Sequence, residues 1–255
     1  MRFALLGSGS LGNALVVEAG RTRVLLDCGF SIGEAVRRLG RLRLTPDRLT
    51  GILVTHEHDD HLGGVARLAR RFNLPVWVTP GTLRGVEALL AGVAEVHRIE
   101  GYARLSIGDI EVQPFPVPHD AREPAQYVFG DGCRRLGVLT DTGCVTPHIR
   151  CVLDRCDALV LEANHDAELL AAGDYPEALK RRIASRFGHL DNAAAAALLA
   201  TLDCSRLRHM VAAHLSQSNN RPDLARSALS VPLRCRPDWI AVASQDEGLD
   251  WRQVA

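Results

Sequence analysis

Seven consecutive residues, Thr55-His56-Glu57-His58-Asp59-Asp60-His61, constrain this chain more than any other stretch. The apolar run Gly51-Ile52-Leu53-Val54 leads into them and Leu62-Gly63-Gly64-Val65 follows, so the order reads strand, tight loop, helix start. Imidazole nitrogens and carboxylate oxygens are the usual ligands of zinc and its neighbours. His56 and His58 alternate by two, and an extended loop points both rings the same way. Asp60 and His61 then turn toward a second ion at the helix start. One or two such side chains would ordinarily be a solvated acidic loop. An H-x-H-x-D-H run between a buried strand and a Gly-Gly helix start asks instead for a metal site on a rigid scaffold.

The rest of the chain reads as alternating strands and helices. Strands are expected at 2–6, 14–18, 23–27, 51–55, 76–78, 95–99, 104–115, 126–131 and 134–140, with helices at 32–39, 61–72 and 81–90. The second half repeats the logic, with helices at 147–154, 175–186, 191–201 and 222–229. Its strands fall at 158–162 and 209–213, and one near 238–243 closes the chain. No repeat, linker or charge block divides the 255 residues, so one domain covering 1–255 is expected. Two strand-rich halves with helices outside imply an α/β fold, a four-layer αββα sandwich.

Composition excludes several classes. No apolar run reaches eighteen residues, so no membrane span or membrane partner is expected. The apolar part of Met1–Gly7 is too short for a secretory leader and reads as a first strand, so a cytoplasmic location is expected. The seven cysteines are odd in number and scattered without a C-x-x-C pair, which argues against a disulfide framework. Of these, Cys144 lies close to a candidate ligand. A formal net charge of zero speaks against non-specific coating of nucleic acid but leaves room for a local basic track.

Further candidate ligands recur where strands end. His119 follows Ile110–Phe115, Asp141 ends Leu136–Thr140, and His214 ends His209–Ala213. Each alone is a loop histidine or a turn aspartate. Together with the first run they make seven donors, enough for two ions sharing one carboxylate.

With these motifs the chain resembles the metallo-β-lactamase-fold hydrolases. The resemblance implies that His56, His58 and His119 hold one divalent ion, that Asp60, His61 and His214 hold the other, and that Asp141 bridges them. Zinc suits five imidazoles and two carboxylates, and manganese or iron also fits. More narrowly, Gly7–Asn13, Glu162–Asp166, Tyr175-Pro176, Leu179–Ile183, Gly188-His189-Leu190 and His214–Asn220 resemble the bacterial YycJ/WalJ family. Asp191 departs from the serine usual there. That resemblance implies a dinuclear metal-dependent phosphodiesterase, a 5′ to 3′ exonuclease on double-stranded DNA with a part in DNA repair. The competing reading is a small-molecule hydrolase, either a phosphodiesterase or a thioesterase of the glyoxalase II kind. A metal-bearing scaffold protein is a third reading, which the complete ligand set opposes.

The remaining polar residues carry secondary expectations. Asp60 or Asp141 would orient the attacking water. His189, just before a helix, or His165 would protonate the leaving oxygen; the alternative for each is a capping or surface histidine. Lys180, Arg181, Arg182 and Arg186 lie on one expected helix but cannot all share a face. Lys180 and Arg181 are assigned to the substrate side, against the ordinary alternative of a solvated face. Ser8, Ser10 and Asn13 either bond a terminal phosphate or shape a Gly-rich turn. The stretch from Asp141 to His214 has no room for a large RNA-clamping insertion, so specificity falls to the pocket rim or to a homodimer surface.

Overall fold

The computed structural model describes residues 1–254. Its first half begins with β1 (Arg2–Gly7), β2 (Ala14–Ala19) and β3 (Thr22–Leu26), an antiparallel meander. Helix α1 (Ile32–Arg41) crosses to β4 (Gly51–Leu53), and α2 (Asp59–Leu62) and α3 (Val65–Phe72) cross to β5 (Val76–Val78). Helix α4 (Pro80–Leu90) leads to β6 (Val96–Arg98). From β3 to β6 the pairing is parallel. The second sheet repeats the plan. Strands β7 (Leu105–Ile107), β8 (Ile110–Pro116), β9 (Ala125–Gly130) and β10 (Arg135–Leu139) pair antiparallel. Then β11 (Ala158–Glu162), β12 (His209–Ala213) and β13 (Ala241–Val242) add in parallel. Helices α5 (Pro147–Leu153), α6 (Ala167–Ala172), α7 (Glu177–Ile183), α8 (Asn192–Leu199) and α9 (Pro222–Leu233) fill the connections.

Period-two burial explains the layering. Phe3, Leu5, Val17 and Val24 face Val112, Tyr127, Phe129, Val138, Val160 and Val211 in a core between the two sheets. Their neighbours Ala4, Leu6, Val16 and Leu25 face outward onto Ala35, Leu39, Leu68 and Ala69 of α1 and α3. On the far side Leu139, Leu159, Leu161 and Met210 meet Ile149, Val152, Leu198 and Leu229 of α5, α8 and α9. Strands buried on both faces read as continuous apolar runs, which is why Phe3-Ala4-Leu5-Leu6 and Ala158-Leu159-Val160-Leu161 show no alternation. The order helix, sheet, sheet, helix is the α/β sandwich expected.

Several expected elements differ in detail. The helix over 61–72 is two, α2 and α3, broken at Gly63-Gly64. There Gly64 N–H donates to the Cys28 carbonyl at 2.7 Å and a side chain would collide with the Phe30 carbonyl. The strand over 104–115 is a hairpin turning at Gly108, whose φ of +55° suits glycine. The helix over 175–186 begins only after Pro176 and stops at Ile183. Helix α6, not expected, is capped by Asp166, whose carboxylate accepts from Glu168 N–H and Leu169 N–H at 3.0 Å each. The chain does not close at 238–243. A last strand, β14 (Leu249–Gln253), returns to the first sheet and pairs antiparallel with β1.

Candidate active site

Polar side chains converge from six strand ends on one side of the sandwich. Asp27 follows β3, His56 to His61 follow β4, His119 follows β8, Asp141 follows β10, Glu162 ends β11 and His214 follows β12. Three of these turn the chain sharply, with left-handed φ of 59° at Asp27, 50° at Asp141 and 54° at His214. Non-glycine residues pay strain for that conformation, and it persists where packing over-determines it. The metal-type loop is braced at its helix end. Asn13 N–H donates to the Asp60 carbonyl and Cys28 N–H to the His61 carbonyl, each at 2.7 Å. The Gly29 backbone lies against that of Asp60 so closely that no side chain would fit.

Outer hydrogen bonds orient the imidazoles. Thr55 Oγ1 donates to Asp27 Oδ2 at 2.8 Å and so accepts from His56 Nδ1 at 2.9 Å. His61 Nδ1 lies 2.8 Å from Asp27 Oδ2, and His119 Nδ1 lies 3.1 Å from the Gly188 carbonyl. Those carboxylate and carbonyl acceptors fix the proton on Nδ1 of His61 and His119 and leave each Nε2 lone pair facing inward. His56 Nε2 stands 3.0 Å from His58 Nδ1, which stands 3.3 Å from His119 Nε2. Three lone pairs thus share one point. Asp60 Oδ2, His61 Nε2 and His214 Nε2 make a second group, with Asp60 Oδ2 3.4 Å from each nitrogen. Asp141 lies between the groups. Its Oδ2 is 3.2 Å from His61 Nε2 and its Oδ1 is 3.5 Å from His214 Nε2. Although fully enclosed, Asp141 Oδ2 finds no hydrogen-bond donor among the described residues. Acceptors clustered against acceptors, with an orphaned buried carboxylate oxygen among them, fit divalent cations.

Electrostatics follow the same geometry. Burial alone would raise Asp60, but bonds from His214 and His61 hold its carboxyl well below the usual carboxylate range. Burial lowers His56 and His119, favouring the neutral ligand form. Burial opposes charging of His214, yet Asp141, Asp60 and Glu162 together push it up to about 10.

Sequence reasoning did not single out Glu162 or Asp27 as working residues. Glu162 is wholly buried; Oε1 lies 2.7 Å from His189 Nδ1, while Oε2 accepts from Thr142 N–H at 3.0 Å and Leu190 N–H at 3.2 Å. Burial would raise its carboxyl, but His189 and then His214 bring it to about 2. In return Glu162 raises His189 against the opposing effect of burial. The signal available was a carboxylate closing an all-apolar strand, in Leu159-Val160-Leu161-Glu162 and in Val24-Leu25-Leu26-Asp27.

A cavity of about 400 Å³ opens over the cluster. His58, Asp60, His119, Asp141, His189 and His214 line its floor, and Tyr175, Leu179 and Ile183 form an apolar wall. His165 is not among the lining residues; its buried ring meets Asn164 Oδ1 at 3.3 Å. Ser10 lines the cavity but Ser8 does not, because its hydroxyl accepts from His214 N–H at 2.8 Å. Asn13 Nδ2 is turned onto Asp60 Oδ2 at 3.2 Å and the Gly9 carbonyl at 3.0 Å, so it positions the loop rather than facing the opening. The basic residue at the cavity is Arg182, not Lys180 or Arg181. Lys180 Nζ donates to the Ala171 carbonyl at 2.7 Å, Arg181 is exposed outside the lining, and Arg182 Nε meets Asp120 Oδ2 at 2.6 Å. Cys144 does not line the cavity; its carbonyl accepts from Thr142 Oγ1 at 3.0 Å.

Residues 22–215 match the family described as Beta-lactamase superfamily domain. The chain is 40% identical over 234 residues to Exodeoxyribonuclease YycJ of Bacillus anthracis, covering 90% of this chain and 88% of that one. It is 35% identical to Exodeoxyribonuclease WalJ of Streptococcus pneumoniae, covering 89% and 86%. Among solved structures, the metallo-beta-lactamase fold protein YhfI from Bacillus subtilis superposes with a TM-score of 0.78 at 14% identity, covering 98% of each chain. Zn(2+)-bound PqqB from Methylobacterium extorquens superposes at 0.75 with 18% identity, covering 99% and 100%.

Proposed function

The chain belongs to the β-lactamase superfamily, among the relatives of the YycJ and WalJ exodeoxyribonucleases, and from that premise we propose a dinuclear metal-dependent exonuclease that shortens double-stranded DNA from its 5′ end. One observation carries the reading. Seven donors of the kind divalent cations take cluster at one cavity, five of them lining its floor and His56 and His61 buried beneath, in a chain that aligns along nearly its whole length with proteins named for DNA hydrolysis. The 5′ to 3′ direction and the duplex substrate come from the family resemblance of the motifs.

In this reading His56, His58 and His119 hold one cation, Asp60, His61 and His214 hold the other, and Asp141 lies between. Such ions supply Lewis-acid polarisation of phosphoryl oxygens and a water acidic enough to attack near neutral pH. Every other task falls to the chain. Thr55, Asp27 and the Gly188 carbonyl fix the imidazole tautomers. Asp60 or Asp141 would accept the hydrogen bond that orients the attacking water. His189 carries the proton for the departing alkoxide oxygen. Its Nδ1 is held by Glu162, its side chain is 22% exposed, and it lines the cavity. His189 and Glu162 also come near enough to Asp141 and His214 to be read as ligands. The 2.7 Å bond that commits His189 Nδ1 to Glu162 favours the acid role.

The deciding experiment is degradation of end-labelled duplex DNA by purified protein loaded with manganese or zinc, beside an Asp60→Ala control. Stepwise loss from the 5′ end, absent in the control, is the expected result. A protein that binds two metal ions, hydrolyses bis(p-nitrophenyl) phosphate and leaves DNA intact would move the substrate to a small molecule.

A further inference from the structure

Beside the cavity, next to its lining residue Gly188, stands an aromatic residue that the chemistry above does not use. Phe187 is 58% exposed. Single exposed apolar side chains are common and by themselves mean little. This one stands on a loop that is unusually well fixed. The Phe187 carbonyl accepts from Asp120 N–H at 3.0 Å, and Phe187 N–H donates to Ser185 Oγ at 3.3 Å. Gly188 N–H reaches the Ser185 carbonyl at 3.0 Å, and His189 N–H reaches the Ile183 carbonyl at 2.9 Å. Gly143 packs without a side chain against the backbone of Arg186 and Gly188, and Gly188 packs likewise against the Arg182 and Ile183 carbonyls. These contacts tie the loop's main chain on both sides of Phe187, so the exposed ring projects from a braced backbone.

Its place matters as much as its exposure. Phe187 lies two residues before His189, and its carbonyl is tied to Asp120, whose side chain lines the cavity along with His189. The adjoining cavity holds about 400 Å³, with Tyr175, Leu179 and Ile183 as its apolar wall and metal-type donors along its floor. That is room for one nucleotide rather than a base pair, in the range typical of small-ligand sites. A nucleotide that must reach a buried site leaves its stack, and aromatic or aliphatic side chains commonly fill the gap it leaves.

We propose that Phe187 is a wedge for the end of the duplex. It stacks on the penultimate base pair in place of the terminal one, while one unpaired terminal nucleotide enters along the Tyr175 wall with its phosphate toward the floor. The inference rests on the DNA-exonuclease reading and adds a substrate requirement to it: the end must be unpaired when bound. Unpairing is least costly where the end is already mismatched.

The test compares two duplexes of otherwise identical sequence, one fully paired to a blunt end and one ending in a few mismatched pairs. Wild-type protein, Phe187→Ala and Phe187→Trp are assayed on both with the same metal. Phe187→Ala is expected to raise the ratio of the mismatched-end rate to the paired-end rate about tenfold, the loss of one base–aromatic stack. Phe187→Trp should return the ratio close to that of the wild type. Because the ratio is taken on one preparation, it does not depend on how much of the variant is folded. A ratio unchanged in Phe187→Ala overturns the wedge while leaving the nuclease intact. Wild-type protein inert on both duplexes overturns the nuclease reading and this inference with it.

Discussion

Replacing Glu162 by glutamine separates a proton-carrying histidine from a structural one. The substitution keeps the shape and leaves one oxygen to accept from Thr142 N–H and Leu190 N–H, as Oε2 does now. It turns an amide NH₂ toward His189 Nδ1, where a carboxylate oxygen now sits at 2.7 Å. A donor then faces a donor. The imidazolium loses a charge-assisted bond worth about 1.5–3 kcal/mol, so turnover on DNA should fall about 10- to 150-fold. His189→Ala should cost about 10²–10⁴-fold. Two controls make the assignment sharp. With bis(p-nitrophenyl) phosphate, whose leaving group departs without needing a proton, both variants should lose far less. In the His189→Ala background, Glu162→Gln should cost far less than it does alone, leaving only the effect of its 3.5 Å contact with His214 Nδ1, because a residue acting mainly through its partner is not additive with it. Metal content, measured by elemental analysis, should stay at the wild-type value. Equal losses on DNA and on the nitrophenyl ester, or loss of metal in either variant, would refute the reasoning and make His189 and Glu162 part of the ligand set.

Other expectations follow from the same contacts. Stripping metal with a chelator should abolish hydrolysis and lower the melting temperature; re-addition at about 100 times the dissociation constant restores about 2.7 kcal/mol, which thermal unfolding reads directly. Asp141→Asn should weaken metal retention measured by equilibrium dialysis, whereas Cys144→Ser should not. Arg182→Ala should weaken DNA binding and reduce its salt dependence, while Lys180→Ala, at a residue already bonded to the Ala171 carbonyl, should leave both nearly unchanged in a titration across ionic strength. Asp157 is fully buried and accepts from Arg135 N–H at 2.9 Å, Arg134 Nη1 at 3.1 Å and Arg206 Nη2 at 3.1 Å. Burial would raise its carboxyl, but these donors hold it below the ordinary value. Its stabilisation is therefore present above the unfolded-state value near pH 4 and is lost as pH falls through the lower folded-state value. Asp157→Asn should be destabilised in urea at pH 7 by about 1.5–3 kcal/mol, and the gap from wild type should close in acid.

What the sequence disclosed and what it withheld divide along a physical line. His56, His58, Asp60 and His61 were legible because four donors crowd one short loop, and the fold class followed from apolar runs punctuated by turns. His119, Asp141 and His214 were legible only as a set, since each is dull alone and gains meaning from ending a strand on the same side. Glu162 and Asp27 also end strands. They went unread because their work is done through other residues, across 27 positions to His189 and 34 to His61, and no local spacing encodes that. The basic run on α7 failed for a different reason. Helical periodicity shows that Lys180 and Arg182 point apart, but which of them meets the cavity depends on how α7 docks. That is fixed by Ile183 and Leu179 in the cavity wall, by Lys180 reaching back to α6 and by the turn at Gly188, a tertiary outcome. Strand β14 escaped notice because Leu249-Asp250-Trp251-Arg252-Gln253 is a half-exposed edge with little apolar alternation. Its place beside β1 is secured by main-chain pairing and by Arg2 lying 4.2 Å over the Trp251 ring, contacts between the two ends of the chain that neither end announces.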